Sequence, residues 1–195
     1  MTGSVYCPAT MLSKFRQQKM ASLFRNWDFD HDGYLERSDY VLVALRLAEL
    51  AGLLPGSNEY TAMVNGYLAG WNHLKEMGDA DDDDRVSLDE YLIVQEHDLQ
   101  DKDRWRQEVI GLQQFIFRAV DLDVDQRLTQ EEFARIARAY GVEEVMSREV
   151  ARRFDKDGDG LIPFADLFEY LDDFYYGEDP KAFGTYIAGI FNTKE

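Results

Sequence analysis

The stretch DKDGDGLIPFAD, Asp155–Asp166, decides how the rest of the chain reads. Asp155, Asp157 and Asp159 alternate, Gly160 follows, Ile162 is aliphatic at the eighth place and Asp166 closes the twelfth. The same phasing recurs upstream in DFDHDGYLERSD (Asp28–Asp39), DADDDDRVSLDE (Asp79–Glu90) and DLDVDQRLTQEE (Asp121–Glu132). A lone D-x-D-x-D string reads as a solvated turn. Four in phase, with aliphatic eighth residues Leu35, Val86, Leu128 and Ile162 and terminal carboxylates Asp39, Glu90, Glu132 and Asp166, form a repeat.

A hard divalent cation explains each element of the pattern. Ca²⁺ takes six to eight oxygens, and a tight loop supplies side-chain oxygens at alternate places. The candidate side-chain ligands are Asp28, Asp30, Asp32 and Asp39; Asp121, Asp123, Asp125 and Glu132; and Asp155, Asp157, Asp159 and Asp166. A second rank comprises Asp79, Asp81, Asp83 and Glu90. The seventh place gives a backbone carbonyl, so its side chain is free: Tyr34, Arg85, Arg127 and Leu161 stand there. Glycine at the sixth place permits φ > 0. The aliphatic eighth residue is expected to turn inward, where two loops pair through a short antiparallel bridge.

Apolar residues spaced three and four apart flank the loops. Phe24 and Trp27 precede the first, Phe117 and Val120 the third, and Tyr40/Val43, Tyr91/Val94, Phe133/Ile136 and Leu167/Tyr170 follow the four in order. Such spacing marks one buried helix face. It predicts helices over 10–27, 37–52, 58–77, 88–102, 104–120, 130–140, 145–154, 164–175 and 180–191. The expected fold is all-α: four helix–loop–helix units in two pairs, 10–103 and 104–195, forming one compact domain.

These units resemble EF-hands. More narrowly, the chain resembles the sarcoplasmic calcium-binding proteins and their bacterial relatives of the calerythrin type. The resemblance rests on four loops in about this length, on RNWDFD (25–30) and on DDFYYGEDPKAFG (172–184). It rests also on a stretched first pair, whose loops start 51 residues apart against 34 in the second. It implies Ca²⁺ binding, with Mg²⁺ competing.

The four loops differ in quality. The first and fourth keep the sixth-place glycine, Gly33 and Gly160, and end in Asp, which donates one oxygen and favours the six-fold shell that suits Mg²⁺. Glu36 adds a direct or water-mediated ligand at the ninth place of the first. Pro163, at that place in the fourth, has no ligating side chain and is expected to begin the exiting helix, while Gly158 adds flexibility. In the third, Gln126 replaces glycine, at a cost of about 1–2 kcal/mol for a left-handed residue. In the second, Asp84 takes that place, Asp82 and Asp84 add repulsion, and Lys75 and Gly78 stand where an apolar helix face is expected. It reads either as a metal site or as a degenerate structural loop.

The chain has 38 Asp+Glu against 21 Lys+Arg, a net charge of −17, which speaks against nucleic acid and anionic membrane as partners. The loops hold 21 of those acids and four bases, so they carry the whole excess and the rest of the chain is neutral. One cysteine, Cys7, leaves no internal disulfide, and no basic–apolar leader opens the chain. A cytoplasmic monomer is expected. No G-x-S-x-G, P-loop or H-E-x-x-H pattern occurs, and His31, His73 and His97 form no motif, so no enzyme is expected.

Three roles fit. A Ca²⁺/Mg²⁺ buffer is favoured by Asp at two loop ends and by a Phe- and Tyr-rich interior with only six Met. The segment Ala182–Phe191 is expected to fill a groove from within. A Ca²⁺ sensor opening to a protein target is the alternative. A carrier of an apolar ligand, of the kind related to luciferin-binding proteins and photoproteins, comes third. Trp27, Trp71, Trp105 and Tyr186 would then line a cavity, although ordinary core packing is the expected fate of the aromatic residues.

Overall fold

The computed structural model describes residues 12–182 and 184, apart from 122, 124 and the side chain of Ile110. Eight helices occur among the described residues: α1 (Lys14–Trp27), α2 (Arg37–Leu50), α3 (Asn58–Gly78), α4 (Leu88–Asp98), α5 (Lys102–Val120), α6 (Gln130–Ala139), α7 (Glu144–Phe154) and α8 (Phe164–Tyr176). Four short strands lie in the loops: β1 (Tyr34–Leu35), β2 (Val86–Ser87), β3 (Arg127–Thr129) and β4 (Leu161–Pro163). The fold is all-α, with four helix–loop–helix units in two pairs.

Caps set the helix starts. Ser13, Ser57, Ser87 and Thr129 each accept a bond from the backbone N–H three residues on, satisfying one of the free donors at a helix start. The chain breaks at 99–101 instead of running helical to 102, because Asp101 turns its carboxylate onto the Arg104 N–H at 3.0 Å and caps a new helix. Pro163 occupies the cap position of α8, one place before the helical start expected for it. The ninth expected helix, 180–191, falls largely outside the described residues, as do Cys7 and most of Ala182–Phe191.

The stretched first pair has a simple source. Relative to α6 and α7, α2 is four residues longer and α3 ten, while the connection 51–57 exceeds 140–143 by three.

Each pair is joined by an antiparallel bridge, with Leu35 opposite Val86 and Leu128 opposite Ile162. All four are buried, so the eighth places anchor the loops to the core as expected. One apolar cluster crosses between the pairs, setting Val43, Leu47 and Tyr67 of α2 and α3 with Phe133, Val150 and Phe154 of α6 and α7. A second groups Met20, Phe24, Trp71 and Tyr91 with Trp105 of α5 and Phe174 of α8. The aromatic residues do not pack the interior solid: a cavity of about 350 Å³ remains, lined by Trp27 and Trp105 but not by Trp71. Tyr186 lies outside the described residues.

The end of α8 is fixed to α1 by a buried cation. Lys19, only 2% exposed, donates to the carbonyls of Asp173 at 3.2 Å and Gly177 at 2.6 Å. A cation suits a helix C-terminus. Burial nonetheless pulls this amine down to about 8.

Candidate metal centres

Each loop folds around its first carboxylate. Asp28 accepts from the N–H groups of Asp32 at 3.1 Å and Gly33 at 3.0 Å. Asp79 does the same with Asp83 and Asp84, and Asp121 with Asp125 and Gln126. Asp155 takes Gly158 and Gly160, both at 2.8 Å. The fifth-place Asp then accepts from the seventh-place N–H, at 2.8–2.9 Å in all four loops. These bonds hold the first and fifth carboxylates in place although like charges repel.

Asp28/Asp30/Asp32, Asp79/Asp81/Asp83, Asp121/Asp123/Asp125 and Asp155/Asp157/Asp159 each place one oxygen apiece within 4.8 Å of the others. Oxygens on opposite sides of a Ca²⁺ shell stand about 5 Å apart, so each trio fits on one ion. The donors are all carboxylate, the chemistry a hard cation takes. Asp28, Asp121 and Asp155 are buried, whereas Asp79 is half-buried and its loop the more open.

The twelfth-place carboxylates stand apart from these trios, at the third position of the exiting helices. Asp39, Glu90 and Glu132 each accept the ninth-place N–H at 2.8 Å. In the first pair they also reach back over the loop: Asp39 accepts from Phe29 N–H at 3.4 Å and Glu90 from Ala80 N–H at 3.1 Å. Asp166 differs because Pro163, at its ninth place, has no N–H to give. Its carboxylate pairs instead with Lys156 at 3.3 Å. Pro163 was the sequence signal for that difference.

Electrostatics separates the closures. Burial pushes Asp39 up to about 6, so below that pH a cation entering the first loop must displace a proton. Glu90 is held below the usual range by the Ser87 N–H. At Asp155 desolvation pushes upward but is outweighed by the Gln130 amide, at 2.7 Å, and by the Gly160 and Gly158 N–H groups, which hold it low. Gln130 belongs to α6, so this bond ties the third loop's exit to the fourth loop's first ligand. Arg127 and Asp159, 3.7 Å apart, make a second tie between those loops.

Three sequence expectations need correction. Gly158 does more than add flexibility: it sits at φ 76°, and His31 and Asp82 take the same left-handed fourth place at 61° and 59°. Gly78 is not a defect of the second loop's entry helix. A Cβ there would lie 3.0 Å from a Val94 methyl and 3.5 Å from one of Val86, so the missing side chain lets α3 close on α4 and β2. Lys75 and Asp84 are not idle either, since they form an ion pair. With Arg85 on Asp83 at 3.0 Å, the second loop's acids already face two cations, Lys75 of α3 and the loop's own Arg85, which compete with a metal for them.

The sixth place is left-handed throughout: Gly33 at 90°, Asp84 at 64°, Gln126 at 65° and Gly160 at 89°. Gln126 therefore bears the strain foreseen for it. Gln126→Gly is expected to raise the third loop's Ca²⁺ affinity about tenfold, the worth of about 1–2 kcal/mol. Calorimetric titration of the variant beside the parent protein measures this, and equal affinities would show that the strain is carried equally in the unbound state.

Residues 112–171 match the EF-hand domain pair family. That segment is an EF-hand pair. The similarity of the chain extends beyond that pair: the chain is 22% identical to calerythrin of Saccharopolyspora erythraea over 169 residues, 86% of this chain and 96% of that one. It is 26% identical to sarcoplasmic calcium-binding proteins II, V, VI and VII of Branchiostoma lanceolatum over 171 residues, 84% of this chain and 89% of that one. Among solved structures, a Streptomyces coelicolor calcium-binding protein superposes with a TM-score of 0.69 at 24% identity, covering 84% of this chain and 99% of that chain. No described helix of the chain is long and apolar enough to cross a membrane.

Proposed function

We propose that this EF-hand protein is a non-catalytic, cytoplasmic, monomeric Ca²⁺ buffer in which Mg²⁺ competes for the same loops. The assigned ligands are Asp28, Asp30, Asp32 and Asp39 with the Tyr34 carbonyl; Asp121, Asp123, Asp125 and Glu132 with the Arg127 carbonyl; and Asp155, Asp157, Asp159 and Asp166 with the Leu161 carbonyl. Asp79, Asp81, Asp83, Glu90 and the Arg85 carbonyl form a fourth, weaker site. Asp at the first and fourth closures favours Mg²⁺ there.

The observation that carries buffer over sensor is how the end of α8 is held. Trp105 packs on Tyr175 at 4.6 Å and on Tyr176 at 5.2 Å between ring centres. Lys102 and Arg106 both pair with Asp172, at 3.0 and 2.8 Å. With Lys19 on the α8 carbonyls and one apolar cluster crossing both pairs, ordinary opening of a target groove would break many contacts at once. A sensor needs a bistable helix pair that a cation tips.

Calorimetric titration with Ca²⁺ and with Mg²⁺ tests the reading. At least three sites are expected, with Mg²⁺ weakening Ca²⁺ binding most at the first and fourth loops. Adding Ca²⁺ over Mg²⁺ should leave the uptake of an apolar dye unchanged. Fewer than two sites would overturn the ligand assignment, and Ca²⁺-dependent growth of dye uptake would overturn the buffer in favour of the sensor.

A further inference from the structure

The four loops offer a cation oxygen alone. Nitrogen donors gather elsewhere, where the end of α4 meets α3 and α5. His73 stands on α3, and His97 and Asp98 are the last two residues of α4. They meet because α3 and α4 pack against each other as one helix–loop–helix unit.

His73 Nε2 lies 2.8 Å from Asp98 Oδ2. His97 brings Nδ1 to 3.2 Å from the other oxygen, Oδ1. Asp98 thus sits between two imidazoles, one on each oxygen. Its side chain is only 16% exposed and held in place, whereas the rings of His73 and His97 are 41% and 53% exposed and open to an incoming ion.

Nitrogen and oxygen ligands of a four-coordinate Zn²⁺ stand about 2.0–2.2 Å from the ion, and so about 3.3–3.4 Å from one another. Both N···O separations are close to that span, so an ion can replace the proton between each pair with a small widening. Because the nitrogens lie on opposite oxygens, the ion settles against the open edge of the carboxylate, and a turn of the exposed His97 ring completes the set. Three protein ligands leave the fourth place to water.

Arg104 is the competitor. Its Nη2 is 3.2 Å from Asp98 Oδ1, the oxygen that His97 faces. Its Nε has a second partner in Glu108, at 3.4 Å and one helical turn on. An ion at Asp98 therefore leaves Arg104 paired. Donor chemistry separates this cluster from the loops, since imidazole suits Zn²⁺ whereas carboxylates and carbonyls suit Ca²⁺ and Mg²⁺.

We propose that His73, His97 and Asp98 form a Zn²⁺ site that fastens α3 to the end of α4, beside the connection between the two pairs. The site shares no residue with the Ca²⁺ loops and does not depend on the buffer reading.

Zn²⁺ titrated calorimetrically into the full chain, with Ca²⁺ and Mg²⁺ saturating the loops, is expected to bind at one ion per chain. Co²⁺ in its place should give the strong visible absorption of a four-coordinate ion with nitrogen ligands, not the weak bands of an all-oxygen octahedral shell. His73→Gln and His97→Gln keep a polar side chain that can bond to Asp98. Each should weaken Zn²⁺ uptake at least tenfold while its Ca²⁺ titration stays that of the parent. The Ca²⁺ titration alone tests the buffer, so the two readings fail separately. Absence of saturable Zn²⁺ uptake by the parent protein overturns the proposal. So does a Zn²⁺ affinity within threefold of the parent's in either histidine variant, which would place the ion on other donors.

Discussion

Stripping divalent cations with a chelator is expected to lower the thermal midpoint by about 8–16 °C for a single site that had been filled a thousandfold over its Kd. That figure combines about 4 kcal/mol of linkage stabilisation with about 2–4 °C per kcal/mol for a chain of this size. Further occupied sites add to it. The driving force is in the charge distribution: the loops hold the whole net −17, and each gathers three carboxylates within 4.8 Å. Hydrogen bonds from loop N–H groups keep the acids in place, but each bond positions a charge without cancelling it. The buried Asp39 adds to the cost, because at neutral pH it is ionised against its desolvation. Scanning calorimetry in Ca²⁺ and then in chelator reads the difference. An unchanged midpoint would mean that the loops bind no cation tightly.

What the sequence made legible is local. The alternation Asp28–Asp30–Asp32, the sixth-place turn and the aliphatic eighth residue all act within one loop, and a period shared by four loops exposes them. The pairing of Leu35 with Val86 and of Leu128 with Ile162 followed, because a buried residue at a fixed place in each loop needs a partner of the same kind. Hidden features depend on residues brought together from afar. Gly78 looked like a gap in an apolar face until α4 lay against it. The Asp155–Gln130 bond joins two loops that sequence inspection treats one at a time. The break at 99–101 rested on one carboxylate choosing a backbone donor over solvent. Tyr67 and Tyr140, 73 residues apart, belong to no motif, and neither does the cavity they share. The left-handed fourth place was hidden for another reason. His31, Asp82 and Gly158 have little in common as side chains, and only the first-place carboxylate, drawing in N–H groups further round the loop, demands that bend.

Trp105→Ala is expected to cost about 3–5 kcal/mol, the range for deleting a large aromatic from a core. For a chain of this size that lowers the midpoint by about 6–20 °C. Trp105 is buried at the start of α5, just past the connection between the pairs, and belongs to the cluster that holds Phe24, Trp71 and Tyr91 of the first pair. Its ring lies against Tyr175 and Tyr176, so its loss frees the end of α8 from α5 and weakens the docking of α8 on α1. Trp105 shares its cluster with Leu35 and Val86 of the first pair's loops but not with Leu128 or Ile162 of the second pair's, so cation affinities of the third and fourth loops should change less than about threefold, since sites without shared contacts are nearly additive. If the α8 end is what keeps the two pairs shut, the variant should also take up an apolar dye in response to Ca²⁺, a response not expected of the parent. Trp105→Phe keeps a ring between the tyrosines and should recover most of the stability. Equal losses in the two variants would show that stacking on Tyr175 and Tyr176 is not what holds α8 in place.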